Sequence, residues 1–322
     1  MTRRSERSGD QSATVIVCTH SSDRWDDLLA GLAALETQTV APAHVLVVVD
    51  RNPALLARLT AARPDVEVVE NTGSGGVSGA RNTGIAKADG EVVVFLDDDA
   101  RPEPRWLELM LTPFEDPRVQ IVGGRAEPVW PRDRPDHVVP ELDWLVGCTH
   151  RGVPTQRSVV RNPIGASMAL RRDLVDQVGG FHDGVSRTGS LPLGCDDTEF
   201  AIRVVQARPD SLVVFEPAAV VHHRVGPERT TWSYLRRRAR AEGLSKATVA
   251  ALAGQRDATS VERSYVWRVL PGAMLRELGR GLRGDAAGWA GMAGVVVALA
   301  FTTYGYLAGS MTGRVRALRR GA

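Results

Sequence analysis

Short β-branched apolar runs alternate with helical stretches over residues 13–100. The pattern predicts strands at 13–20, 44–50, 66–71 and 91–99, and helices at 25–36, 55–62 and 77–88. This alternation is typical of βαβ units on a mostly parallel sheet flanked by helices. Each predicted strand ends in polar residues, and the carboxyl ends of parallel strands share one edge of a sheet. We therefore expect a ligand crevice along that edge.

The pattern changes after residue 100. Residues 101–160 are rich in Pro, Arg and loops, 161–172 return to strand character, and 212–225 predict a strand pair or hairpin. A helix with acidic residues in its first turn is predicted at 195–207, and the chain becomes helical and basic from Thr230 onward. The predicted organisation is a disordered tail at 1–12, an α/β domain at 13–228 and a helical region at 229–322.

The segment 289–311 contains no charged residue and is long enough to span a bilayer. Arginines flank it on both sides, and its aromatic residues suit a membrane interface. Its many Gly, Ala and Thr residues equally favour a helix buried against the α/β domain. The sequence leaves open whether this helix spans a membrane, lies on its surface or packs inside the protein.

Charge is distributed unevenly along the chain. Residues 1–219 carry 23 Lys and Arg against 32 Asp and Glu, whereas 220–322 carry 17 against 6. A basic C-terminal third predicts an anionic neighbour. Nucleic acid is disfavoured, because no stacking aromatic residues interleave with the arginines at 236–240. The 3 cysteines are far apart and fit neither a disulfide framework nor a zinc site, which favours a reducing compartment.

Three consecutive aspartates follow the fourth predicted strand. In an extended backbone Asp97 and Asp99 point to one side and Asp98 to the other. Two carboxylates aimed together repel unless a cation compensates them, and such oxygen ligands suit Mg²⁺ or Mn²⁺. The alternative interpretation is a solvated acidic turn or a helix cap. Their position at a strand end favours a metal and diphosphate site.

The stretch 71–84, NTGSGGVSGARNTG, follows the third strand and invites comparison with the glycine loop of a dinucleotide-binding unit. The spacing does not fit, because Gly73 and Gly75 would be the first two glycines of the motif and the third position falls on Ser78. A dinucleotide site is therefore disfavoured.

A second acidic group, Asp196, Asp197 and Glu199, lies at the predicted start of a helix, where the helix dipole alone would favour carboxylates. His222 and His223 end a later apolar strand, and strand alternation lets only one of them face a crevice. Neutral histidine is a common metal ligand.

The motifs VIVCTHSSDRWDDLLAGLAAL, VLVVVD, SGARNTGIAKADGEVVVFLDDDARP, VGGFHDG and GCDDTEFAIRV, in this order, resemble the inverting GT-A glycosyltransferases of family 2. The resemblance covers roughly residues 13–224. It implies a Rossmann-like GT-A fold, a nucleotide-diphosphate sugar as donor, and Mg²⁺ or Mn²⁺. In that family the glycine-rich stretch packs beside the nucleotide and leads into the metal strand.

The resemblance also implies roles for individual residues. Thr19, His20 and Arg24 would line the nucleotide pocket, Asp50 would bind the base or ribose, and Arg81 would lie close to the diphosphate. Asp97, Asp98 and Asp99 would form the donor and metal motif, with Asp99 the stronger metal ligand and His223 rather than His222 completing the site. Asp197 would be the catalytic base, while Asp196 replaces the family's glutamate.

The sequence thus predicts an inverting transfer to a glycan or lipid-linked acceptor at the cytoplasmic face of a membrane, with the chain peripheral or held by its C-terminal helix. Three alternatives remain. A sugar-nucleotide pyrophosphorylase would carry a longer glycine-rich loop after the first strand, where CTHSSDR has no glycine. A glycoside hydrolase could pair Asp98 with Asp197. A non-catalytic membrane-associated scaffold is the third. The sugar, the base, the linkage and the oligomeric state stay open.

Overall fold

The computed structural model describes residues 12–183, 185 and 193–312. The predicted tail, apart from residue 12, and the arginines after residue 312 lie outside the described residues. The described strands are β1 Ala13–Thr19, β2 His44–Val49, β3 Glu67–Glu70, β4 Val92–Asp97, β5 Ala100–Pro102, β6 Val119–Val129, β7 Ser158–Val159, β8 Ser167–Arg171 and β9 Leu212–Arg224. They form one sheet in the order β3-β2-β1-β4-β8-β6-β9-β5, with β7 paired to β9.

The first four strands are mutually parallel, as the sequence predicts. β1 lies between β2 and β4, and the pairings Thr19 with Val49 and Cys18 with Asp97 bring their carboxyl ends to one edge. The predicted helices also occur: α1 is Trp25–Glu36, α2 is Pro53–Ala62 and α3 is Val77–Lys87. The Asn52 side chain caps α2 by accepting a hydrogen bond from Leu55, with a proline at the first helical position.

The second half of the sheet is mixed, and of two predictions about it one is incomplete and the other is wrong. The loop-rich region 101–160 contains the long strand β6 as well as the helix α4, Trp106–Leu111. The segment 212–225 is no hairpin but the single strand β9, which runs parallel to β6 with an irregularity where Gly124 pairs with Glu216 and Arg125 with Val220. The break suggested by Glu216-Pro217 is this bulge, so the strand continues in the same direction.

Helices cover both faces of the sheet. The apolar side chains of α1, α2 and α4 pack on one face, and those of α3, α5 (Leu174–Val178) and α6 (Asp196–Ala207) on the other. Large fully buried side chains such as Ile16, Phe95 and Trp106 lie in these layers, and each contributes roughly 1.5–3 kcal/mol by leaving water. This rigid core fixes the strand ends that carry the polar residues.

The C-terminal region is helical, as predicted. It comprises α7 Trp232–Ala253, α8 Gln255–Ser264, a π-helical segment Tyr265–Val269, α9 Leu270–Leu282 and α10 Ala286–Met311. The Thr231 hydroxyl caps α7 by accepting a hydrogen bond from Tyr234.

α10 is the one helix in the described residues that is long and apolar enough to cross a membrane. Its glycines pack closely against α7, against α9 and against the loop at His137. A Cβ on Gly305 would lie 2.1 Å from the Arg240 carbonyl oxygen, and one on Gly294 would lie 1.9 Å from that of His137. Only glycine permits so close an approach.

Candidate active site

The ends of β4 and β9 bring three ligand-type side chains together. Atoms of Asp97, Asp99 and His223 that are suited to metal binding all lie within 4.8 Å of one another. His223 Nε2 is 3.1 Å from Asp99 Oδ1 and 3.8 Å from Asp97 Oδ2. The antiparallel pairing of Ala100 with His223 sets this geometry, because it places the end of β9 beside the acidic turn.

Strand alternation separates the two neighbouring histidines. His223 is buried against the aspartates, whereas His222 points outward and its Nε2 lies 3.2 Å from Glu103. The structure therefore brings to the acidic cluster the histidine that the sequence analysis preferred.

The three side chains fit a divalent cation. Asp99 Oδ1 is buried and has no aligned hydrogen-bond donor, although its partner oxygen is held by arginines. Burial alone would lower the pKa of His223, but Asp99, Cys148 and Asp97 together outweigh burial and raise this pKa well above its ordinary value. Two carboxylates and an imidazole aimed at one point are a donor set that Mg²⁺ or Mn²⁺ can use.

Asp98 points to the opposite side, as strand geometry requires. Its Oδ2 accepts a hydrogen bond of 2.7 Å from the Thr19 hydroxyl, and its Oδ1 pairs with Arg24 Nη1. Arg24 Nη2 in turn lies 3.0 Å from Asp99 Oδ2, and Arg229 Nη2 lies 3.6 Å from the same oxygen. Thr19 and Arg24 thus hold the acidic turn in place while lining the cavity described below.

Asp50 fastens the glycine-rich loop. Its Oδ1 accepts a hydrogen bond of 2.6 Å from Asn71 Nδ2, and its Oδ2 accepts one of 2.8 Å from the backbone N–H of Gly76. Gly76 has φ of 102°, in the region that favours glycine. Asp50 and the exposed His20 line the same cavity.

A buried ion pair joins α3 to the start of α6. Arg81 Nη1 donates to Asp196 Oδ2 at 2.7 Å, and Arg81 Nη2 donates to the Gly165 carbonyl at 3.0 Å. The guanidinium also lies 5.4 Å from the ring centres of Phe95 and Phe181. Arg81 is therefore fully engaged within the protein, although it reaches the cavity wall.

Asp197 is the adjacent carboxylate, and no cationic side chain in the described part of the chain forms an ion pair with it. Its Oδ1 accepts the backbone N–H of Thr198 at 2.6 Å. Burial, and then repulsion from Asp196, raise the pKa of Asp197 to about 6, against a smaller opposing effect of Arg81. A carboxylate in this range can accept a proton near neutral pH.

One cavity of about 990 Å³ connects these features. Its lining includes the acidic cluster at the strand ends, Asp197 at the start of α6, and Arg81 between them. The two acidic groups that the sequence places a hundred residues apart therefore face a shared cleft.

Sequence reasoning missed part of this lining. Arg229 is a single arginine after β9, and no repeat or pattern marks it. The cavity is also walled by side chains of α7, α8 and α10, which the sequence analysis assigned to a separate region. The spacing of apolar residues along α10 was the available signal, but it does not tell a cavity wall from a membrane face.

Comparison with known proteins identifies the family. The model of the family described as Glycosyl transferase family 2 matches residues 14–179. A glucosyl-dolichyl phosphate glucuronosyltransferase of Haloferax volcanii is 30% identical over 237 residues, covering 72% of this chain and 75% of that protein. A pre-mycofactocin glycosyltransferase of Mycobacterium tuberculosis is 30% identical over 172 residues, covering 53% of this chain but only 35% of that protein.

Solved structures share the fold. A mannosyltransferase of Pyrobaculum calidifontis, solved with GDP-Man and Mn²⁺, superposes with a TM-score of 0.58 at 20% identity, covering 92% of this chain and 88% of that one. A GalNAc-T7 structure with UDP, GalNAc and Mn²⁺ superposes with a TM-score of 0.52 at 15% identity, covering 81% and 56%. The family match, the shared fold and the acidic cleft agree, and this chain belongs to glycosyl transferase family 2 as a glycosyltransferase with the GT-A fold.

Proposed function

We propose that this glycosyltransferase moves a sugar from a nucleotide-diphosphate donor to an acceptor hydroxyl in a single displacement that inverts the anomeric centre. The observation that carries the proposal is the shared cleft, which has a metal-type cluster on one side and the unpaired carboxylate of Asp197 on the other.

The donor belongs at the strand ends. Asp97, Asp99 and His223 would hold Mg²⁺ or Mn²⁺, which neutralises the charge that develops on the leaving diphosphate. Arg24 and Arg229 hold the second oxygen of Asp99, which orients the first toward the cluster. Both solved relatives named above contain Mn²⁺ with a nucleotide or nucleotide sugar, which supports this placement.

The nucleotide itself would lie along the glycine-rich loop. Thr19, His20, Asp50 and Asp98 line that part of the cavity, although Asp50 and Asp98 already accept hydrogen bonds on both oxygens. We infer that these two carboxylates shape the pocket mainly by fixing the loop and the acidic turn. Any contact with the nucleotide would use their remaining lone pairs.

Asp197 would act as the base. The acceptor hydroxyl loses its proton as its oxygen attacks the anomeric carbon, the bond to the diphosphate breaks, and the proton passes to the Asp197 carboxylate. The neighbouring acid cannot easily share this work, because Asp196 is paired with Arg81 inside the protein. One free carboxylate on the acceptor side suffices for a single displacement, and the reaction needs no covalent intermediate.

The acceptor and the location extend the proposal. The relative from Haloferax volcanii is named for a glucosyl-dolichyl phosphate substrate, which supports a lipid-linked acceptor here. α10 exposes an apolar face that includes Trp289, Val296 and Leu307, which suits a membrane surface. Because its glycines pack closely against α7, we propose that α10 lies on the cytoplasmic face of the membrane rather than spanning it.

A donor panel tests the reaction class. UDP-, GDP- and dTDP-sugars are incubated with the full chain in the presence of Mn²⁺, Mg²⁺ or EDTA, and the released products are measured. Release of a nucleoside diphosphate that requires the metal is the expected result. Release of pyrophosphate would identify a pyrophosphorylase instead, and an absence of both turnover and donor binding would leave the scaffold alternative.

A further inference from the structure

The cleft continues beyond Asp197 into a compartment walled by the C-terminal helices. We propose that this compartment is the acceptor subsite, and that it binds an acceptor in which an anionic group is joined directly to a hydrocarbon chain. The inference rests on the proposed function, since it assigns the acceptor side of the same site. It goes further in naming the two parts of the ligand and the residues that meet each part.

One wall is a continuous stripe of α10. The lining residues of this helix recur at intervals of three and four, so they share one face of the helix: Val295, Ala298, Leu299, Thr302, Thr303 and Tyr306. On one side this stripe adjoins the contact with α7, where Val295 and Ala298 pack in a core cluster with Leu235 and Ala239. On the other side it adjoins the exposed face that carries Val296 and Leu307. Apolar side chains of α10 therefore line the cavity on one side of the helix and are exposed to solvent on another.

Another wall comes from α8, the π-helical segment and the first residue of α9. Val261, Tyr265, Val266 and Leu270 line the cavity there. A neutral glycan binds through hydrogen bonds to its many hydroxyls, whereas six of the ten side chains on these two walls are apolar and the other four offer one hydroxyl each, on Tyr265, Thr302, Thr303 and Tyr306. A hydrocarbon chain matches such walls, because each buried methylene adds hydrophobic stabilisation.

The compartment has an apolar rim. Among the residues that the structure describes, Val261 and Leu299 are the large hydrophobic residues that both line the cavity and remain well exposed, at 45% and 38%. They belong to these two walls, so a chain bound between the walls would leave the protein between them. The exposed apolar face of α10 continues from there, which gives the chain a route to a bilayer.

The inner end of the compartment carries excess positive charge. Among the described residues of this lining, Arg161, Arg238 and Lys246 form ion pairs with two carboxylates, Glu242 and Glu262. Lys246 Nζ lies 2.6 Å from Glu262 Oε1 and 3.1 Å from Glu242 Oε1.

The two arginines join the same group. Arg161 Nη1 lies 2.6 Å from Glu262, and Arg238 Nη1 lies 2.8 Å from Glu242. Three cations share two carboxylates in a mostly buried place, so an anion on the ligand would balance the third charge. An anionic group next to the apolar walls is therefore the complementary ligand.

Probes that separate the two parts of the ligand test the inference. Dodecyl phosphate, dodecanol and inorganic phosphate are titrated into the full chain by calorimetry, below the concentration at which dodecyl phosphate forms micelles. We expect dodecyl phosphate to bind more tightly than either of the others. Equal binding of dodecanol and dodecyl phosphate would remove the anionic part of the proposal, and equal binding of inorganic phosphate would remove the hydrocarbon part.

Two residues of α10 form a matched pair for the apolar wall. Leu299 lines the cavity, while Val296 is exposed on another face and does not. Leu299→Asp should weaken the binding of dodecyl phosphate at least about tenfold, and Val296→Asp less than about twofold, as expected from the loss of one buried apolar contact. If both variants lose affinity equally, the probe binds the outer surface of α10 and the cavity assignment is wrong.

A second test variant and its control, both on α7, examine the cationic end of the compartment. Lys246→Met should weaken dodecyl phosphate at least about tenfold, should leave dodecanol unchanged, and should be rescued by Lys246→Arg. Arg240→Met alters an exposed arginine of the same helix that does not line the cavity, and it should have little effect. If a variant loses affinity for dodecyl phosphate and dodecanol to the same extent, the cluster has only a structural role.

The proposed function can fail separately. Thermal stabilisation by a nucleotide sugar with Mn²⁺ is measured on every variant and should not change, because the donor end lies at the strand ends. If no donor binds but dodecyl phosphate depends on Leu299 and Lys246, the proposed reaction is wrong and the lipid subsite stands. If donors bind and react but the affinity for dodecyl phosphate is unchanged in the Leu299 and Lys246 variants, the assignment of the acceptor subsite is wrong.

Discussion

Arg81 and Asp196 form a buried ion pair, with 2.7 Å between Nη1 and Oδ2, that joins the helix leading into the metal strand to the helix carrying Asp197. Both side chains are less than one tenth exposed, and the pair lies beside the carboxylate proposed as the base. The pairing gives a physical reason for the sequence DD at this position. The first acid neutralises Arg81, and its charge helps to raise the pKa of the second.

Asp196→Asn is therefore expected to have two effects. Removing one partner of a buried pair leaves Arg81 uncompensated, which should lower the free energy of unfolding by about 3–5 kcal/mol. Loss of the repelling charge should also lower the pKa of Asp197, so the acidic limb of the pH profile of transfer should move to lower pH. Chemical denaturation measures the first effect, and transfer rates from pH 4.5 to 8 measure the second. An unchanged acidic limb would contradict the proposed coupling.

Asp197→Asn tests the base itself. The amide cannot accept the proton, so transfer should fall roughly 10²–10⁴-fold while donor binding is retained. In the unaltered chain the carboxylate must be ionised, and its pKa is raised to about 6. Transfer should thus be constant above this pH and should fall about tenfold per pH unit below it. Near wild-type transfer by Asp197→Asn would show that another group takes the proton.

Much of the donor side followed from the sequence. β1, β2 and β4 are mostly apolar runs that end at or just before polar residues, so their shared edge could be predicted, and with it the position of the aspartates. Strand alternation also predicted that only one of His222 and His223 could face the cleft. These features depend on local pattern and on the geometry of parallel strands, which a single sequence contains.

The second half of the sheet and the acceptor side did not follow in the same way. β6 was missed because Gly123, Gly124 and Pro128 interrupt its apolar pattern, and β9 was mistaken for a hairpin because a bulge resembles a turn. The cavity wall on α10 depends on which side of this helix faces the cavity. That choice is made by glycine contacts with α7 and with the loop at His137, which are tertiary contacts invisible in the sequence.

His223→Ala and His222→Ala are a matched pair for the metal site. The two residues are neighbours in β9, but only His223 lies within reach of Asp97 and Asp99. We expect His223→Ala to weaken the Mn²⁺-dependent stabilisation of the protein by nucleotide sugars roughly 10–100-fold in metal concentration, and His222→Ala to leave it unchanged. Thermal unfolding across a Mn²⁺ titration gives the comparison. Equal behaviour of the two variants would place the metal elsewhere.

The exposed apolar face of the C-terminal helices should mediate membrane binding. Trp289 and Leu307 on α10 are both about half exposed, and replacing both by Glu should reduce sedimentation with anionic lipid vesicles at least about tenfold. Val159→Glu changes an exposed apolar residue of the α/β domain and is the control. Binding should also weaken as salt is raised, because the C-terminal region is basic. Retained binding by the double variant would assign the membrane surface to another part of the chain.

The packing of α10 on α7 should require glycine at position 305, whereas Gly279 on the neighbouring helix α9 should tolerate alanine. A Cβ on Gly305 would lie 2.1 Å from the Arg240 carbonyl oxygen, a backbone atom that cannot move without shifting α7. Gly305→Ala should therefore lower the free energy of unfolding by about 1–3 kcal/mol. A Cβ on Gly279 of α9 would have its nearest neighbour at 3.6 Å, the end of the flexible Arg283 side chain. Gly279→Ala should thus be neutral or stabilise by up to about 1 kcal/mol through helix propensity.

Equilibrium unfolding of both glycine variants separates close packing from a general effect of alanine. Because α10 also forms one wall of the acceptor compartment, Gly305→Ala should weaken the binding of dodecyl phosphate as well as stability, whereas donor binding at the strand ends should persist. Were Gly305→Ala as stable as Gly279→Ala, α10 would not be held against α7 in solution. The wall that it gives to the cavity would then not exist as a fixed surface, and a helix released in this way would be free to enter the membrane.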